Sequence, residues 1–165
     1  MAAQQPDDHS APLRLDRYLP YLINRAGVSM ATRFSAALRE AGVALQDWRV
    51  LAALRERDGQ RLTELALRTS IEVSTLSRLV GSMETAGLVS RSRDSLDARA
   101  IVIRLTPAGD SITIRLTPAA LQLEATALAG LNDGEIAQLK MLLERIYGNL
   151  SAEPAAEEPS DGAVK

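Results

Sequence analysis

Between residues 63 and 109 the chain changes texture twice, and this stretch restricts the fold more than any other. Two short helix-forming runs, 63–69 and 73–86, are separated only by Ser70, Ile71 and Glu72. Gly87 follows the second run, where a helix C-terminus favours glycine. Two strand-forming runs come next, 88–92 and 100–105, around a charged turn at 93–99. Their spacing predicts an antiparallel hairpin with a longer loop. Thr106 and Pro107 then predict a fresh helix, with Thr106 as N-cap and proline at the first helical position. The unit reads as a helix-turn-helix followed by a β-wing.

Helical spacing dominates on both sides. Leu19, Leu22, Ile23, Ala26, Met30, Phe34, Ala37 and Leu38 predict a helical region over 13–42, stopped by Gly42, with a kink or break at Pro20. A second helix is expected over 45–57 on Trp48, Leu51, Ala52 and Leu54, then a turn at Asp58-Gly59. Thr63 is the expected N-cap of the next, short helix. After the hairpin, a long helix to about Leu128 should kink at Pro118, and a last helix is expected over 134–150. The fold class is therefore mainly α with a small β-wing. Residues 1–12 and the acidic 151–165 read as disordered tails.

Composition removes several classes of function. The chain has no cysteine, which excludes disulfides, iron–sulfur clusters and thiol-based sensing. Its one histidine, His9, lies in the polar N-terminal tail, so neither a metal site nor Ser–His chemistry on a rigid scaffold is expected. No cofactor is expected, and no nucleophile–base pair marks an enzyme. There is no apolar run of 18 residues and no signal-peptide pattern, so a cytoplasmic protein with no membrane partner is expected. The net charge of −2 weighs against nucleic acid as a partner. The charge is uneven, however: residues 61–104 hold seven arginines against five acids.

On a helical wheel of 73–86, Leu76, Leu79, Val80 and Met83 share the inward face. Ser74, Arg78, Gly81 and Thr85 lie opposite, flanked by Thr75, Ser77 and Ser82. Small hydroxyls with one arginine suit entry into a DNA major groove, where arginine can pair with guanine and hydroxyls with bases or phosphates. Ser74, Thr75, Ser77 and Arg78 are the candidate contacts. In the wing, Arg91, Arg93 and Arg99 are candidates, because a hairpin arginine can reach a narrow minor groove. Asp97, two residues before Arg99, can orient its guanidinium. A solvated helix face and local surface ion pairs are the plainer readings of the same residues.

The stretch LTELALRTSIEVSTLSRLVGSMETAGLVSRSRDSLDARAIVIRLTPAG resembles the helix-turn-helix and wing of the MarR (multiple antibiotic resistance regulator) family. Three features carry the likeness: the helix STLSRLVGSMETAGLVSR, the Asp97-Ala98-Arg99 of the wing, and the Leu-Thr-x-x-Gly from Leu105 to Gly109. Flanking FSAALREAGVALQDWRVLAAL also fits, and the likeness spans about 15–150. It implies dimerisation helices at 13–45 and 107–150 around a winged DNA-binding domain at 46–106. It further implies a homodimer straddling a pseudo-palindrome on double-stranded DNA. Arg99 would be the minor-groove arginine and Asp97 its support. Glu72 departs from the expected N-cap types Ser, Thr, Asp and Asn.

The resemblance also implies release from DNA by a small organic effector, often a phenolic or aromatic acid. Polar groups on the first two helices are the candidates: Asn24, Arg25, Ser29, Arg33, Trp48 and Arg49. An arginine can pair with a carboxylate and Trp48 can pack on a ring. Ordinary salt bridges and a core tryptophan are the plainer reading. The expected function is a ligand-responsive repressor, with a winged-helix protein-interaction module as the alternative.

Overall fold

The computed structural model describes residues 12–94 and 100–151, which fall into two compact units divided after Ala127. The first unit holds α1 (Leu19–Ala41), α2 (Leu45–Glu56), β1 (Gln60–Arg61), α3 (Leu62–Thr69), α4 (Val73–Thr85), β2 (Val89–Arg93), β3 (Ile101–Leu105) and α5 (Pro107–Ala127). The second holds α6 (Asp133–Ser151). His9, Asp97, Arg99 and nearly all of both expected tails lie outside the described residues.

The helix starts follow from side chains near them. Pro20 sits in the first turn of α1, where the missing N–H has no helical partner to lose, so the break expected there is the start of the helix. Gly42, at φ 72°, ends it. Asp47 reaches back to the N–H of Ala44 at 2.8 Å and starts α2. Glu64 does the same for Arg61 at 3.1 Å. Thr63 is therefore not the N-cap: α3 begins one residue earlier, with extended Arg61 in the cap position, because the acid three residues on satisfies its N–H. At α6, Asn132 and Glu135 exchange two such bonds, at 3.0 and 2.8 Å. This cap draws Asp133 into the helix, and its far end runs on to Ser151, a residue placed in the tail by sequence.

The sheet has three strands in the order β1-β3-β2, all antiparallel. The hairpin was expected; β1 was not. Gln60 pairs with Ile103 and Arg61 with Val102. Two residues are too few to show a period of two, so sequence reads them as part of the turn. The buried Gln60 amide donates to the carbonyls of Ala53 and Arg57 at 2.8 and 2.6 Å, closing the end of α2. On the same edge of β3, Asp58 accepts the Leu105 N–H at 2.8 Å.

One aliphatic core joins α2, α3, α4 and the sheet. Leu51, Leu54, Leu65, Leu76, Val80 and Val89 lie within it, fully or almost fully buried. A smaller cluster of Phe34, Leu38 and Leu116 packs α1 against α5. α5 is capped by Thr106, whose hydroxyl accepts the Gly109 N–H at 3.1 Å, and runs continuously through Pro118. Gly109 lies so close to the Leu88 carbonyl that a Cβ there would overlap it.

Candidate nucleic-acid interface

α4 presents two faces. Leu76, Val80 and Met83 are buried in the main core, while Ser74, Thr75, Ser77, Arg78, Ser82 and Thr85 are exposed. This is the division the helical wheel predicts, apart from Gly81 and Leu79, which are both half-buried, Leu79 packing against the core. Some hydroxyls are already engaged. Ser82 and Thr85 donate to the carbonyls of Leu79 and Gly81 at 2.9 and 3.1 Å, within the helix. Ser74 donates to the Glu72 carboxylate.

Glu72 is the N-cap of α4 after all. Its carboxylate accepts the Thr75 N–H at 3.0 Å, the role a shorter acid or hydroxyl was expected to fill. The Ser74 hydroxyl, then the Ser74 and Thr75 N–H groups, lower its pKa from the ordinary 4.5 to about 2. The carboxylate is therefore ionised at neutral pH. Its negative charge sits favourably at the positive end of the helix.

In the wing, Arg91 and Arg93 are both exposed, and Arg91 is tied back to α4. Its guanidinium meets Glu84 at 2.5 Å and donates to the Ser77 carbonyl at 3.3 Å. Arg93 lies at the far end of β2, beside Asp94, which approaches Arg61 at 3.9 Å. The Asp94 N–H donates to the Ala100 carbonyl at 2.9 Å across the hairpin.

The six effector candidates divide. Trp48 and Arg49 line one cleft of about 520 Å³, together with Glu56, Arg68, Thr69 and Ser70. Asn24, Arg25, Ser29 and Arg33 lie exposed on α1 and do not line it. Trp48 is also a packing residue, its ring edge-on to Phe34 with centroids 5.4 Å apart. Arg68 bonds Glu56 at 2.6 Å beside the cleft. Sequence reasoning passed over Arg68, Glu56 and Glu84. A signal existed for Glu84: an acid in a helix's last turn opposes the helix dipole, which points to a nearby cation.

A sequence model described as MarR family matches residues 41–100. The chain is 31% identical to a MarR family transcriptional regulator of known crystal structure from Silicibacter pomeroyi DSS-3. That match covers 84% of this chain and 99% of the other, at a TM-score of 0.70. The chain belongs to the MarR family. It is also 24% identical over 144 residues to the HTH-type transcriptional repressor IacR of Pseudomonas putida, covering 87% of this chain and 86% of that one. The fold is shared with Bordetella bronchiseptica BpsR, whose DNA binding is regulated by 6-hydroxynicotinic acid. The match there is 23% identity over 87% of this chain and all of the other, with a TM-score of 0.74. MarR family regulators are transcription factors, and their winged helix carries the same small three-stranded sheet. Among the described residues no helix is long and apolar enough to cross a membrane.

Proposed function

We propose that this MarR family chain is a homodimeric repressor. In this reading it holds a pseudo-palindromic operator through two copies of α4 and the wing. The observation that carries it is the outward face of α4, where Ser74, Thr75, Ser77 and Arg78 stand exposed in place of the long Lys and Glu side chains usual on a solvated helix. Arg78 would take a bidentate guanine contact and the hydroxyls nearby bases or phosphates. Arg93 and Arg99 would serve the wing, with Asp97 orienting Arg99. The exposed apolar residues of α1 and α6 support pairing with a second copy, since a closed two-fold assembly is the common way to cover such faces.

Release would come from a small aromatic carboxylate in the Trp48–Arg49 cleft. Arg49 offers a cationic partner there and Trp48 an aromatic wall, while Arg68 is held by Glu56. The hydroxynicotinic acid of BpsR belongs to the same chemical class.

A gel-shift titration on DNA from upstream of the protein's own gene, against random competitor, tests this. The wild type should shift that DNA specifically, and aromatic acids should release it. Arg78→Ala should cost about 1–3 kcal/mol of specific binding and relax base preference at one position in each half-site. Unchanged affinity and preference would remove Arg78 from the interface.

A further inference from the structure

Glu84 lies in the last turn of α4, one residue before its end. A carboxylate there faces the negative end of the helix and needs a compensating cation. Arg91 supplies it in three ways. Its Nη1 meets Glu84 Oε2 at 2.5 Å. Its backbone N–H donates to Glu84 Oε1 at 3.1 Å. Its Nη2 donates to the carbonyl of Ser77 at 3.3 Å, about two helical turns back from Glu84. Gly87, at φ 72°, makes the turn that brings β2 back along the helix. Arg91 thus clips the first wing strand onto α4 at two heights. Side chains alternate along a strand, so Arg91 and Arg93 share one face of β2. The clip at Arg91 therefore sets the direction in which Arg93 and the rest of the hairpin leave the helix.

Building on the operator-binding reading above, we propose that Glu84 and Arg91 are positioning residues. The pair holds the wing at the angle at which wing and α4 meet DNA together, and neither acts by touching DNA. Two contact elements on one rigid body bind as a bivalent unit, and loosening the joint lowers the effective concentration of the second contact.

Charge makes the proposal testable by sign. Glu84→Gln removes a negative charge from the surface that faces a polyanion, so Coulomb forces alone predict tighter binding. Loss of the clip predicts weaker binding. The pair's side chains are 36% and 38% exposed, so breaking it should cost little stability.

The experiment uses the full chain and a duplex obtained by in vitro selection with the wild type. Glu84→Gln, Arg91→Gln and the double variant are titrated on that duplex and on random duplex, and each is melted. Glu84→Gln should bind the selected duplex about tenfold more weakly and random duplex no more weakly. Its Tm should stay within about 4 °C of wild type. The double variant should be no worse than Arg91→Gln, because one broken clip cannot be broken again. Equal or tighter binding by Glu84→Gln, additive losses in the double variant, or a much lower Tm would each overturn the proposal. Failure of the wild type to select any sequence would instead overturn the operator reading, and this inference with it.

Discussion

In the winged region Leu51, Leu54, Leu65, Leu76 and Val80 are shut away from solvent, whereas no side chain of residues 19–30 in α1, nor any in α6, is buried. Both regions are rich in aliphatic residues at helical spacing. The difference lies in what each region can find to pack against within its own stretch of chain. Around α4, three helices and a sheet close on one another, and their apolar faces are used up internally. The first half of α1 exposes Leu, Ile and Tyr side chains, and α6 exposes Leu, Met and Tyr side chains. An isolated helix is marginal in water, and stripes of this kind support the proposed pairing with a second copy. One region carries a finished core; the other leaves its apolar residues exposed.

The largest expected effect is in the finished core. Leu51→Ala should cost about 2–5 kcal/mol in denaturant unfolding, since the surrounding residues cannot collapse fully into the space left. A loss below about 1 kcal/mol would mean that the winged core is looser than its burial indicates. Next comes the unfinished surface. Leu22 and Leu142 are 40% and 42% exposed. Leu22→Glu and Leu142→Glu should shift sedimentation from the mass of two chains to that of one at micromolar concentration, while the winged region keeps its fold. If both variants still sediment as the wild type does, the contrast between the two regions breaks.

The smallest effect is at the start of α4. The folded pKa of Glu72 is depressed, so its stabilising contribution is complete above the ordinary value of 4.5 and is lost as pH falls through about 2. The advantage of wild type over Glu72→Gln in unfolding experiments should therefore be present at neutral pH and shrink between those values. A difference independent of pH would show that the capping geometry matters and the charge does not.

Much of the winged region was legible in the sequence because its signals are local. Gly87, the paired strand-forming runs and Thr106-Pro107 each act within a few residues. The wheel of 73–86 assigned the faces of α4 because one helix has one period. β1 was hidden because it exists only through its pairing with β3. The cap at Arg61 was misread because Glu64 satisfies it from three residues on. The candidate site was legible in its residue types and not in their engagements. Arg91 reads as a DNA contact by composition, yet its guanidinium is held by Glu84 and by the Ser77 carbonyl. Of the effector candidates, Trp48 and Arg49 meet in one cleft because α2 and α3 pack together there, a contact that spacing along α2 alone does not reveal.

The sequence by itself determined the order and kind of nearly every element and the two faces of α4. It also ruled out cysteine chemistry by having no cysteine. These depend on residue identity and short-range periodicity. Tertiary structure alone decided the third strand, the burial of Gln60 against the end of α2, the partners of Arg91, and which apolar stripes are covered. Each of these depends on groups brought together from different elements, and an ion pair or a core exists only once the chain has closed around it.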